Sequence, residues 1–381
     1  MQIDSKLPRV GTTIFTVMSQ LATQHKAVNL GQGFPDFDGP QSLRDALAAA
    51  MNSHKNQYAP MTGIPKLREQ IALKSEKLYG ARVNADSEVT VTSGATEALF
   101  AAIAAVVHPG DEAIVLDPCY DSYEPAIELA GGRAVHVPLR LPDFSVDWQR
   151  VDDAITPRTR LILINSPHNP TGAVLAANDL DALAQMTRGT NIFILSDEVY
   201  EHIVFDGFMH QSVLRNAELA ARSFVVSSFG KTYHCTGWKV GYCIAPQPLS
   251  AEFRKVHQYL TFCTFNPAQW AFAEVLESDP QHYLGLPAFY QTKRDRFREL
   301  LAPSKFRLLP VRGAYFQVVD YSAISAKDDL NFSEWLIHEA GVAAIPVSAF
   351  YETPPDTRLV RFCFAKSDEI LTAAAERLCK L

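Results

Sequence analysis

Between residues 89 and 245 the chain alternates short β-rich runs with longer amphipathic stretches, and few folds accept that rhythm. The buried-strand candidates are VTVTS (89–93), AIVLD (113–117), RAVHVP (133–138), RLILIN (160–165), IFILSD (192–197), SFVVSS (223–228) and VGYCIA (240–245). Most lead into helix-like segments such as ATEALFAAIAAVV, SYEPAIELA and NDLDALAQMT. This alternation predicts an α/β fold, a mostly parallel seven-stranded sheet with helices on both faces. In open sheets of this kind ligands gather at the carboxyl ends of strands. Polar residues just beyond each run are therefore the first candidates for chemistry.

The last hundred residues break the rhythm. They read as a helix, then GAYFQVVD, a helix at FSEWLIHEAG, the short VAAIPVS, LVRFCFA and a terminal helix. That pattern predicts a smaller α+β domain made of residues 281–381 with residues 1–45, beside a large domain spanning 46–280. The first 45 residues read as loop-rich around NLGQGFPDFDGP. At 381 residues, 47% hydrophobic and 20% charged, the chain is long enough for both cores. Its net charge of −7 is spread along the sequence, so no basic groove for nucleic acid is expected. Six cysteines form no C-x-x-C pair, which argues against a metal site and a disulfide framework and fits a reducing cytoplasm. MQIDSKLPRV lacks the apolar stretch of a signal peptide, and no window reaches the roughly 18 apolar residues that span a bilayer. The expectation is a soluble protein with no membrane partner.

Four strand ends carry the chemistry. In SSFGKTYHCTGWKVGY, Lys231 follows a β-rich run and a Ser-Phe-Gly turn, which sets it over a crevice. A lysine amine attacks an aldehyde only when partly deprotonated, and burial or a neighbouring cation lowers its pKa. Lys239 supplies such a charge or holds a phosphate. Read alone, Lys231 fits a solvated surface lysine. In SDEVYEH, Asp197 ends a strand and Tyr200 follows three residues later. A buried Asp keeps a pyridine nitrogen protonated, and the protonated ring draws electrons from a carbanion. A helix N-cap explains Asp197 as well. In NSPHNPTG the turn follows from Pro167, Pro170 and Gly172, which leaves Asn165, His168 and Asn169 at a strand's carboxyl end, Asn169 as a hydrogen-bond donor. In TSGATEALFAAI a helix starts at Ala95 and Thr96, and its free amides suit a small phosphate. Neither G-x-G-x-x-G nor a P-loop is present, so a dinucleotide or nucleotide-triphosphate site has no support.

With these residues assembled, the sequence resembles class I aminotransferases of the fold-type I pyridoxal-phosphate superfamily. The resemblance runs over nearly the whole chain, through NLGQGFPDF, NQYAPMTGIPKLREQI, DPCYDSYEP, NSPHNPTG, SDEVYEH, SSFGKTYHCTGWKVGY and LVRFCFA. It is nearest the kynurenine and glutamine transaminase branch and, within it, the bacterial methionine aminotransferases, through SSFGKTYH, TGWKVGY and HQYLTF. Where many class I members place arginine at the phosphate, this chain has Lys239, as that branch does. The resemblance implies pyridoxal 5'-phosphate held as a Schiff base by Lys231, with Asp197 on the ring nitrogen and Tyr200 and Asn169 on the phenolic oxygen. Tyr120 would stack on the ring. The phosphate would rest on the Ala95 and Thr96 amides, Ser228 and Lys239, with Tyr58 reaching across from the second subunit of a homodimer. Arg361 would grip the substrate α-carboxylate bidentately, beside the Gly33 backbone. Otherwise Arg361 reads as a surface charge on a strand.

The reaction so implied is ping-pong transfer of an amino group from an amino acid to a 2-oxo acid, with Lys231 as tether and proton shuttle. Side-chain pocket candidates are Ile14, Phe15, Tyr58, Tyr120, Phe265 and Phe316, each of which also fits ordinary packing. An aromatic pocket favours methionine, phenylalanine, glutamine or kynurenine-type substrates. No second arginine is assignable to a distal carboxylate, which disfavours aspartate. Two alternatives share the scaffold: β-elimination from cysteine conjugates, and a non-catalytic cofactor-sensing domain.

Overall fold

The computed structural model describes residues 3–381. All seven strand candidates form, as Val89–Thr92 (β1), Glu112–Asp117 (β2), Arg133–Pro138 (β3), Thr159–Asn165 (β4), Phe193–Asp197 (β5), Ser223–Ser228 (β6) and Gly241–Ile244 (β7). They lie in one sheet, in the order β1-β7-β6-β5-β4-β2-β3. Only β7 runs antiparallel to its neighbours, β1 and β6. Strands β1, β2, β6 and β7 are buried along their whole length, as strands covered on both faces must be, while the edge strand β3 is largely part-exposed.

This register decides where chemistry collects. Asn165 and Asp197 are partners at the carboxyl ends of β4 and β5, and Ser228 ends β6 at the same edge. Because β7 is reversed, its first residue, Gly241, pairs with both Ser228 and Thr92. Lys239, two residues before Gly241, is thereby returned to the edge from which the helix Ala95–Val106 departs. A side chain at Gly241 would sit 2.7 Å from the Ser227 carbonyl and 3.0 Å from the Ala95 nitrogen, so this approach of three strands requires glycine.

Beyond residue 300, Arg307–Leu308 (β8), Phe316–Asp320 (β9), Ile345–Pro346 (β10) and Leu359–Cys363 (β11) form an antiparallel sheet in the order β10-β11-β9-β8. VAAIPVS divides, since Val342–Ala343 instead pairs in parallel with Val28–Asn29.

The loop-rich reading of the first 45 residues needs correction. Ile14–Gln24 is a helix whose N-cap, Thr13, accepts from the Thr16 amide at 3.3 Å, and its apolar residues bury Met18 and Ala22. A second helix, Gln41–Asn52, packs on Asn266–Ser278. Among the described residues no helix is long and apolar enough to cross a membrane.

Candidate active site

The strand ends enclose a cavity of about 170 Å³. Nine of the predicted residues line it: Ala95, Thr96, Tyr120, Asn169, Asp197, Tyr200, Ser228, Lys231 and Lys239. Asn165, left over with Asn169 by the NSPHNPTG turn, lines it too, whereas His168 does not; Leu99, Val199 and Thr236 are further lining residues that no motif singles out.

Lys231 lies in a short helix, Phe229–Thr232, rather than in a plain turn. Phe229 anchors that helix by stacking on the fully buried Phe272, with centroids 4.5 Å apart, and the Tyr233 amide closes it on the Phe229 carbonyl at 2.8 Å. Gly230 has no room for a side chain, because the Thr236 Cα would lie 2.9 Å away. Burial lowers the Lys231 amine to about 8, and the Arg361 and Lys239 charges push the same way. Its Nζ donates to the Gly33 carbonyl at 3.3 Å.

Asp197 is buried, and no helix follows it, which removes the N-cap reading. One carboxylate oxygen accepts from the Tyr123 hydroxyl at 2.7 Å and the other from the Val199 amide at 3.3 Å. Burial nevertheless raises its pKa to about 6, with these donors and the Lys231 charge opposing. A buried carboxylate in that state gains most from a cationic N–H partner. Beside it, burial pushes the Tyr200 phenol well up, so it enters the site as a neutral donor. Tyr120 is likewise raised, to about 12.

A phosphate-sized cradle lies at the other end of the cavity. The first-turn amides of Ala95 and Thr96 have no acceptor within their own helix. Gly94, at φ +82, lets Lys239 close over the turn, because a side chain there would sit 3.3 Å from its Nζ. Glu97 locks the turn, accepting from the Ser93 amide at 3.0 Å and pairing with the buried His257 at 2.9 Å. Helix N-terminal amides, a hydroxyl at Ser228 and one ammonium form a donor set matched to an anion.

Arg361 lies behind Asn169. It is fully buried in β11, contrary to the surface reading of an isolated strand arginine. Nη1 donates to Asn169 Oδ1 at 2.7 Å and Nη2 to the Gly31 carbonyl at 2.8 Å, while Nε is buried without a partner. The rings of Phe316, Phe15 and Phe350 surround it at 4.1, 5.3 and 5.4 Å. No carboxylate lies within ion-pair distance among the described residues, an arrangement that costs stability until an anion arrives. Gly33 adjoins it, since a side chain there would lie 3.7 Å from Nη2 and 3.2 Å from the Phe316 ring.

Gly33, Arg361, Phe15 and Phe316 lie behind the cavity lining, Ile14 does not line it, and Tyr58 and Phe265 lie at the surface. Tyr58 is 83% exposed and meets Phe262 edge-on at 5.3 Å, and Phe265 is 51% exposed. Tyr123 and Tyr315 were missed. Each lies in a segment that reads as plain helix or strand, with nothing local to mark its hydroxyl.

A family model described as aminotransferase class I and II matches residues 25–378. The methionine aminotransferase of Escherichia coli strain K12 is 56% identical, over 99% of this chain and 98% of its own length. Kynurenine–oxoglutarate transaminase 1 of Mus musculus is 35% identical, over 95% and 93%. The crystal structure of YbdL from Escherichia coli, reported with a methionine aminotransferase function, superposes over 100% of both chains with a TM-score of 0.98.

Proposed function

This chain belongs to the class I and II aminotransferase family, and within it we propose that it moves the amino group of methionine or a similar uncharged amino acid to a 2-oxo acid, using pyridoxal 5'-phosphate. The observation that carries the substrate class is Arg361, buried, without a carboxylate partner and bonded to the cavity-lining Asn169. A planar guanidinium held in this way suits an α-carboxylate. The charged residues lining the cavity are Asp197, Lys231 and Lys239, which leaves no arginine there for a second carboxylate. The aromatic surround and the 56% identical methionine aminotransferase both favour an apolar side chain.

The residues present fit the cofactor. Asp197 suits a ring N–H, the Tyr200 hydroxyl and the free Asn169 amide suit the phenolic oxygen, and Tyr120 suits the ring face. Ala95, Thr96, Ser228 and Lys239 suit the phosphate. When bound, the cofactor supplies an aldehyde for the substrate amine and a ring that accepts electron density from the α-carbon. Lys231 Nζ is the tether. Once freed by the substrate amine, Lys231 Nζ would be the group placed to take the α-proton and to hold it for return. An amine lowered to about 8 is neutral often enough near pH 7 to serve as that base. Arg361 and the Gly33 backbone would fix the carboxylate.

We assign residues 46–280 to the large domain, and residues 1–45 with 281–381 to the small one. A homodimer with shared sites is supported by the exposed apolar group Met51, Tyr58, Tyr259, Phe262 and Phe265, which a partner would cover while Tyr58 reaches its phosphate. A cytoplasmic setting is supported by six free cysteines.

The test adds amino acids singly to the cofactor-loaded protein and follows conversion of the aldehyde form to the amine form by absorbance. Methionine, phenylalanine and glutamine should convert it faster than aspartate. Faster conversion by aspartate would overturn the substrate class.

A further inference from the structure

The Gly33 carbonyl serves two donors. Lys231 Nζ lies 3.3 Å from it and the Tyr315 hydroxyl 2.9 Å, so the closer donor comes from a residue with no part in the reaction described above. Tyr315 is fully buried. Its ring is wedged edge-on against Tyr200 at 5.0 Å, with Tyr290 at 5.6 Å and Phe316 at 4.9 Å, and the Phe364 amide fixes its backbone at 3.0 Å. A phenylalanine would fill this space. The hydroxyl therefore needs a reason beyond packing.

We propose that Tyr315 is a positioning residue that occupies the Gly33 carbonyl so that Lys231 is held loosely enough to leave it and react. A carbonyl has two lone pairs, and each donor it accepts weakens its pull on the other. An ammonium gains more from a free carbonyl than a neutral amine does. Removing the Tyr315 hydroxyl would tighten Gly33 on Lys231, favour the charged amine and raise its pKa. The carbonyl also has to stay satisfied when Lys231 moves away, and Tyr315 does this. Segment 31–34 can then keep its other ties, Gly31 to Arg361 and Phe34 to Lys366, each at 2.8 Å. The other groups facing Lys231 are Asp197, Lys239, Arg361, Cys363 and the Tyr200 phenol; Tyr315→Phe leaves the first four untouched and takes one hydroxyl neighbour from Tyr200, so Tyr200→Phe, which removes that pair from the other side, must not reproduce the shift.

The inference rests on Lys231 being the residue that takes up pyridoxal phosphate. The experiment strips the cofactor and measures its recapture rate against pH by absorbance, a step that requires neutral Lys231. The wild-type midpoint should lie near the amine's value of about 8. Tyr315→Phe should move it up by roughly half to one unit, slowing capture about three- to tenfold below the midpoint. Tyr290→Phe is the control, because it removes a neighbouring buried hydroxyl that has no partner. If both variants shift alike, or Tyr315→Phe does not shift, the proposal fails. If Tyr315→Phe does not fold, p-aminophenylalanine at position 315 keeps the ring and a weaker donor, and a smaller upward shift is required of it. Wild-type protein that captures no cofactor, or a Lys231→Ala variant that captures it equally well, would overturn the function and this inference together.

Discussion

The wall of the cavity around Asp197 and Lys231 is made from strand ends that follow one another along the chain, whereas the wall around Arg361 is made from the two ends of the sequence. Tyr123 reaches Asp197 across 74 residues, within consecutive strand–helix units. Arg361 reaches Asn169 across 192 residues and Gly31 across 330, and Tyr315 reaches Gly33 across 282. The first wall is set once the central sheet forms, because parallel strands deliver their carboxyl ends to one edge. The second exists only when the N-terminal segment and β11 meet. Cofactor capture and substrate capture should therefore be separable by mutation.

Arg361→Ala should separate them most sharply. It removes the buried guanidinium while leaving every residue that lines the cavity. Truncating one partner of a buried charged pair costs about 2–5 kcal/mol, so kcat/KM for methionine should fall by roughly 30- to 5,000-fold. Cofactor affinity should fall far less than kcat/KM, while the Lys231 amine, relieved of a neighbouring cation, moves up. A large loss of cofactor binding in this variant would show that the two walls are one unit.

Tyr123→Phe should act on the other wall with a smaller effect. Asp197 already sits at about 6 because of burial, and the Tyr123 hydroxyl is one of the groups holding it down. Losing that donor raises the carboxyl further. Under the proposed function the ionised form is the one that would hold the ring N–H, and its population falls as pH drops through the pKa. Cofactor affinity should thus fail at a higher pH than in wild type, by up to about one unit, with several-fold weaker binding near pH 6 and little change above pH 8. Titrating cofactor binding across pH 5–9 would check this; identical acid limbs would remove Tyr123 from the account.

The same contrast explains what was legible in the sequence. Asp197 ends an apolar run, and Asn169 and Thr96 follow within four residues of theirs, so the strand pattern alone marks them. The pattern puts Lys231 at the right strand end, although Ser-Phe-Gly reads as a turn where the short helix Phe229–Thr232 forms. Arg361 was different: from its own strand it read as a surface charge, and only resemblance gave it a role. Its burial depends on Phe15, Phe316 and Phe350, from three distant segments. Tyr315 and Tyr123 were invisible for the same reason, since nothing near either residue names its partner. The helix Ile14–Gln24 is short and adjoins a glycine- and proline-rich stretch, so the segment as a whole reads as loop.

The central claim is that Lys231 holds the cofactor at the junction of the two walls. Reducing the pyridoxal-phosphate-loaded protein with borohydride and mapping the labelled peptide by mass spectrometry tests it directly. One cofactor label per chain, on Lys231, is expected. A label on Lys239, or one spread over several lysines, would contradict it.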